Sequence, residues 1–223
     1  IEGDEYLTSP IDRRPKFHVY QPTIGIISGI AWDHINVFPT FDFYVQQFET
    51  FAKMIPADGS YIYCADDSVL SEMSNKIEHP NKKGYSMLPH TIVNGTTILN
   101  TSEGDFPLQI FGKHNLANLN AAKLACNAVG ISDLQFYNAI TSFKGASNRL
   151  ELLYKDEQTA AYKDFAHSPS KLKATITAVR EQYPDKKLVA CMELHTFSSL
   201  TEEFLQQYAG CMDNADIPII FFN

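Results

Sequence analysis

The chain has 223 residues, is 44% apolar and 20% charged, and carries 26 acidic against 18 basic residues for a net charge of −8. That length suits one large domain or two small ones, and the composition excludes wholesale disorder. The acidic balance argues against a nucleic-acid backbone binder, which normally needs a basic stripe. No apolar run approaches the ~20 residues of a membrane span.

The opening Ile1-Glu2-Gly3-Asp4-Glu5 shows neither a Met nor a signal-peptide pattern, so the sequence reads as a piece of a longer chain. Thr23–Ser28, a β-branched apolar run between Pro22 and Gly29, predicts the first strand. Phe41–Met54 predicts an amphipathic helix with Phe41, Tyr44, Val45, Phe48, Phe51 and Ala52 on one face. Asp58-Gly59 turns into a strand Ser60–Cys64, and a helix follows over Asp66–Lys76. Residues 81–111 carry Gly84, Pro89, Asn94-Gly95, Gly104 and Pro107, the punctuation of a small antiparallel meander. Helices are predicted at Asn115–Val129, closed by Gly130, and from Ser132-Asp133 to about Phe143.

Lys144-Gly145-Ala146-Ser147-Asn148 breaks the pattern and marks a domain boundary, giving domains of 1–146 and 147–223. Beyond it come strands Arg149–Tyr154 and Thr159–Lys163, a helix Ser170–Tyr183, a strand Lys187–Met192, a helix near Leu200–Tyr208 and a strand Ile217–Phe222. Alternating strands and helices predict an α/β fold with a mostly parallel sheet, its second domain truncated. Cys64, Cys126, Cys191 and Cys211 form no C-x-x-C pair and read as buried free thiols in a reducing cytoplasm.

Chemistry is sought where α/β folds keep it, past the carboxyl ends of strands. Asp33-His34 follows the first strand; a carboxylate and an imidazole there suit a hard or borderline cation, or a hydrogen bond within the loop. Gly112-Lys113-His114-Asn115-x-x-Asn118 straddles a helix start. Asn115 suits an N-cap, and an amide pair three residues apart also suits the edge of a purine. Lys163-Asp164-Phe165-Ala166-His167-Ser168-Pro169 and Glu193-Leu194-His195-Thr196 each put an acid and a His after a strand. No G-x-x-x-x-G-K-[ST] phosphate loop and no G-x-G-x-x-G occurs.

Taken in order, Glu2–Tyr6, Ile11–Phe17, Trp32-Asp33-His34, Gly112–Asn118, Asn148–Leu152 and Asp164–Pro169 resemble the Mur ligases over essentially the whole chain. The resemblance implies the later part of a P-loop-type central domain, a mixed sheet plus a small antiparallel meander, and then the first part of a Rossmann-like C-terminal domain. The phosphate loop would then lie before Ile1, leaving this stretch inactive by itself. The implied activity is ATP-dependent amide formation in peptidoglycan synthesis or recycling. The lactyl carboxylate of UDP-N-acetylmuramate would pass through an acyl phosphate to an amine.

By the same resemblance, Glu2 and His34 match metal-binding positions for magnesium, and Asn115 and Asn118 match adenine-reading amides with His114 beside them. Arg149 matches an arginine that reaches the nucleotide phosphates. Asp164 and His167 match groups that meet nucleotide and acceptor. Glu2–Tyr6 and Arg13–Phe17 favour a tripeptide acceptor; addition of L-alanine and a non-catalytic nucleotide-binding module are the alternatives. Ser168 stands where the family often has a second His, and Asn148 where an Arg is common.

Overall fold

The computed structural model describes residues 1–32, 37–194 and 202–222. They form two compact units, residues 1–87 with 117–136 and residues 88–116 with 137–223.

In the first unit β1 (Ile24–Ile27), β2 (Ser60–Cys64) and β3 (Lys82–Tyr85) make a parallel sheet in the order β1-β2-β3. Ile24 lies opposite Ser60, and Tyr61 opposite Lys82. Gly59 permits this pairing, since a Cβ there would sit 2.1 Å from the Thr23 carbonyl oxygen, while a Cβ on Gly25 would meet the Ile55 side chain at 2.4 Å. Helices α1 (Phe41–Met54) and α2 (Ser68–Asn75) serve as the crossovers that parallel strands require. The Thr40 hydroxyl caps α1 by accepting from the Phe43 amide at 3.2 Å. Tyr61, Ile62 and Leu70 are fully buried, in one core with Phe38, Tyr44, Ala52 and Met73. Burial pushes the Tyr61 hydroxyl up to about 12, against the partial relief of its 2.6 Å hydrogen bond with Ser74 Oγ.

The meander prediction took in residues 82–85, but these form β3 of the parallel sheet. The reason lies in Lys82, whose ammonium donates to the Ser74 and Ile77 carbonyls at 2.8 and 2.9 Å. Those bonds cap the end of α2 with positive charge and deliver the chain into the sheet.

The second unit opens with the meander: β4 (His90–Val93), β5 (Thr96–Thr101) and β6 (Gly104–Leu108), all antiparallel. Asn94 and Gly95 turn the first hairpin with φ of 50° and 69°, the left-handed pair that a two-residue turn needs. Helices α3 (Lys113–Ala128) and α4 (Asp133–Ile140) follow in the chain, with residues 117–136 of this stretch counted in the first unit. Next come β7 (Glu151–Lys155), β8 (Ala160–Lys163) and α5 (Pro169–Gln182). Last are β9 (Val189–Leu194), a short α6 (Glu202–Leu205) and β10 (Ile217–Phe222), with β9 and β10 parallel. β7 and β8 pair antiparallel, not within a parallel sheet. Asp156 Oδ1 accepts from the amides of Gln158 and Thr159 at 2.8 and 2.6 Å, and so short a link permits only a hairpin.

One face of α5 closes on the meander. Gln182, 4% exposed, accepts the Thr97 hydroxyl at 3.0 Å and donates to the Gly95 carbonyl at 2.8 Å. Beside it the Tyr162 and Tyr183 hydroxyls meet at 2.6 Å, and burial raises the Tyr162 pKa. The cysteines are free, but only Cys64 and Cys211 are buried. Cys191 is exposed because β9 buries Met192 on its other face.

Candidate functional site

In the first unit the two N-terminal motifs meet. The Lys16 amide donates to the Tyr6 carbonyl at 3.0 Å, the Thr8 amide to the Arg14 carbonyl at 2.9 Å, and Leu7 bridges Pro15. Lys16 Nζ reaches Asp4 at 2.7 Å, while Phe17 packs on Phe48 and Phe51. Arg14 grips Asp12 through two side-chain bonds at 2.9 and 2.7 Å, which holds the Asp12 carboxyl down at about 2. Glu2, the predicted metal ligand, is exposed; its predicted partner His34 lies outside the described residues, as do Asp33 and His195. Among the described residues no group of three or more His, Cys, Asp or Glu side chains gathers to hold a metal.

The segment after β1 is anchored by a residue that its own sequence context did not reveal. Asp67 Oδ2 accepts from the Ile30 amide at 2.9 Å, and Oδ1 accepts from the Leu70 amide at 2.8 Å, capping α2. The Trp32 indole donates to the Phe38 carbonyl at 3.1 Å.

In the second unit the predicted residues converge. α3 begins at Lys113, two residues before the predicted cap, because Gly112 at φ +89° starts the turn and its carbonyl takes the Leu116 amide. Asn115 is therefore no N-cap; its amide group donates back to the Phe111 carbonyl at 2.9 Å. Lys113 pairs with Glu181 at 3.0 Å, and a Cβ on Gly112 would lie 2.7 Å from that of Ala178. His114 is half-buried, and its pKa is lowered, first by burial and further by Arg149, against an upward pull from Asp164. Its neutral form is thereby favoured.

Arg149 is exposed, with its guanidinium 5.9 Å from the centre of the Phe165 ring. Asp164 Oδ2 accepts from the Leu150 amide at 2.7 Å. The His167 ring stands 5.0 Å from that of Phe165, and the His167 carbonyl accepts the Tyr208 hydroxyl. His114, Arg149, Asp164 and His167 thus belong to one unit, and Arg149 and His167 both face the Phe165 ring. Asn118 is exposed on α3 and belongs to the other unit. Sequence reading passed over Phe165, although its place inside the Asp164–His167 motif was a usable signal.

The architecture defines the class: an α/β protein with a parallel sheet, helical crossovers and an antiparallel meander. The family described as the Mur ligase middle domain matches residues 11–126. The chain belongs to the Mur ligase family. It is 29% identical to the UDP-N-acetylmuramate–L-alanine ligase of Alkaliphilus metalliredigens, covering 98% of this chain and 50% of that protein. Against the ligase of the same name from Desulfitobacterium hafniense it is 28% identical, over 98% and 51% respectively.

Among solved structures, the UDP-N-acetylmuramate–alanine ligase of Thermotoga maritima superposes with a TM-score of 0.71 at 17% identity, over 92% of this chain and 47% of that one. The murein peptide ligase of Psychrobacter arcticus gives 0.61 at 22% identity, over 99% and 48%. The chain spans about half the length of the curated relatives it matches.

Proposed function

We propose that residues 1–146 are the later part of the middle domain, and residues 147–223 the first part of the C-terminal domain, of a cytoplasmic ATP-dependent ligase of peptidoglycan synthesis and recycling. The ligase joins the lactyl carboxylate of UDP-N-acetylmuramate to the amine of a peptide or amino acid. The observation that carries this reading is the convergence of His114, Arg149 and Asp164 in a chain of the Mur ligase family.

ATP supplies the phosphoryl group that turns the carboxylate into an acyl phosphate open to attack by an amine. Negative charge gathers on that phosphoryl group, so a fixed cation beside it lowers the barrier. Arg149 has the planar donor fork for this task, steadied by the Phe165 ring. His114, biased toward its neutral form, adds a hydrogen-bonding group without a second positive charge. Asn115 keeps its amide oxygen available beside the bond to Phe111 and, with Asn118, reads the adenine edge. Asp164 and His167 meet nucleotide and acceptor, and Glu2 with His34 holds magnesium.

The partners are small molecules. The net charge of −8 argues against nucleic acid, and no helix among the described residues is long and apolar enough to cross a membrane.

The full-length protein, given UDP-N-acetylmuramate, ATP, magnesium and either L-alanyl-γ-D-glutamyl-meso-diaminopimelate or L-alanine, is expected to release ADP. No ADP with either acceptor overturns the enzyme reading and leaves a non-catalytic nucleotide-binding module. The tripeptide is the favoured acceptor on the resemblance of the Glu2–Tyr6 and Arg13–Phe17 stretches alone. The names of the curated relatives favour L-alanine instead, and the faster acceptor in this assay decides. Residues 1–223 alone are expected to hydrolyse no ATP.

A further inference from the structure

Arg149 sits in a turn that its side-chain chemistry does not explain. Its two neighbours, Asn148 and Leu150, hold φ of +56° and +45°, and Gly145 just before them holds +97°. Asparagine tolerates the left-handed region; leucine enters it only when the surroundings impose it. Three bonds impose it here. The Asn148 amide donates to Glu151 Oε2 at 2.8 Å, the Arg149 amide to the Ala146 carbonyl at 3.1 Å, and the Leu150 amide to Asp164 Oδ2 at 2.7 Å. The Ser147 hydroxyl adds a second donor to the same Glu151 oxygen at 3.3 Å. A further bond, from the Phe165 amide to the Asn148 carbonyl at 2.9 Å, ties the turn to the segment after β8 that carries the Phe165 ring. The three consecutive amides of Asn148, Arg149 and Leu150 are therefore all taken up, while the Arg149 side chain is exposed.

We propose that Glu151 is a positioning residue for Arg149. Its carboxylate, together with that of Asp164, pins a left-handed turn so that the guanidinium is held in place over Phe165 before any ligand arrives. Without the Glu151 acceptor, Asn148 relaxes to right-handed backbone and the arginine loses its fixed direction. The role is distinct from contact with substrate, since both donors to Glu151 belong to the turn itself. It takes from the proposed function only that Arg149 meets the nucleotide phosphates.

The test uses the full-length protein and five forms: wild type, Glu151→Ala, Glu151→Gln, Arg149→Ala and the double variant Glu151→Ala/Arg149→Ala. Glu151→Ala is expected to lower kcat/KM for ATP about tenfold. Glu151→Gln, which keeps an acceptor oxygen for both donors, stays within about threefold of wild type. The double variant falls within about twofold of Arg149→Ala, because the clamp acts only through the arginine. Wild-type kinetics in Glu151→Ala, or a double variant whose loss is the product of the two singles, overturns the proposal. If Glu151→Ala fails to fold, Glu151→Asp, one methylene short of the Asn148 amide, takes its place with the same expectations. A wild type that turns over no ATP sinks the ligase reading instead. The clamp is then decided by hydrogen exchange at the Asn148 amide: faster exchange in Glu151→Ala with protection restored in Glu151→Gln upholds it, and equal protection in all forms overturns it.

Discussion

Replacing Gln182 by leucine tests the buried polar join between α5 and the meander. Gln182 is 4% exposed and Thr97 is 1% exposed, so neither partner has water to turn to. Leucine fills a similar volume but leaves the Thr97 hydroxyl and the Gly95 carbonyl without their bonds of 3.0 and 2.8 Å. The orphaned Thr97 hydroxyl costs about 1–3 kcal/mol and the half-buried Gly95 carbonyl about 0–2 kcal/mol, so Gln182→Leu is expected to destabilise by about 1–5 kcal/mol. Thr97→Val orphans only the amide oxygen of Gln182, for about 1–2 kcal/mol. In the double variant the hydroxyl and the amide vanish together and only the Gly95 carbonyl stays unpaired. Its cost is expected to fall short of the sum of the singles by at least about 1 kcal/mol. Urea unfolding of the three variants and wild type gives these differences from the midpoints, provided the slopes agree. A loss below about 1 kcal/mol in Gln182→Leu, or additivity within about 0.5 kcal/mol, refutes the reasoning.

Gly112→Ala places a Cβ at φ +89° and 2.7 Å from the Ala178 side chain, so a loss of about 2–4 kcal/mol is expected in the same assay; a change under about 0.5 kcal/mol contradicts it. Asp67→Ala removes the cap of α2 and the acceptor for Ile30, with an expected cost of about 1–3 kcal/mol and faster hydrogen exchange at the Ile30 amide. Unchanged exchange there would show that Asp67 does not hold the segment after β1. His114 gives a pH signature: its folded pKa lies below the ordinary value of 6.5, so just under that pH the unfolded chain binds more protons and stability falls as pH falls. His114→Phe is expected to flatten that slope in unfolding midpoints taken from pH 7.5 downward, and parallel profiles would discard the assignment.

Elements whose signal is local were legible residue by residue. Phe41–Met54 shows its stripe in the spacing of its aromatics, and Ser60–Cys64 and Ile217–Phe222 are apolar runs with turn residues ahead of them. Errors arose where a distant partner decides. β3 joins the parallel sheet through the bonds of Lys82 to α2, and α3 starts early because Gly112 takes a left-handed φ. The roles of Asp67 and Glu151 were invisible for the same reason. Asp67 acts on an amide 37 residues away, and Glu151 works only because Asp164 and Phe165 come back to the turn. The grouping of His114, Arg149 and Asp164 followed from the family resemblance; their spacing along the chain carries no such information.

The two compact units share the chain in alternation, with crossings after residues 87, 116 and 136, the middle one inside α3. No single cut separates the two units from one another, so a protease nick at any one point either breaks a unit or leaves part of one attached to the other. Synthesis on the ribosome meets the same constraint. The first unit cannot close until residues 117–136 have emerged, by which time the whole meander is already waiting for strands and helices not yet made. The first unit can therefore close while the second still lacks residues 137–223, so the interleaved chain is completed in that order.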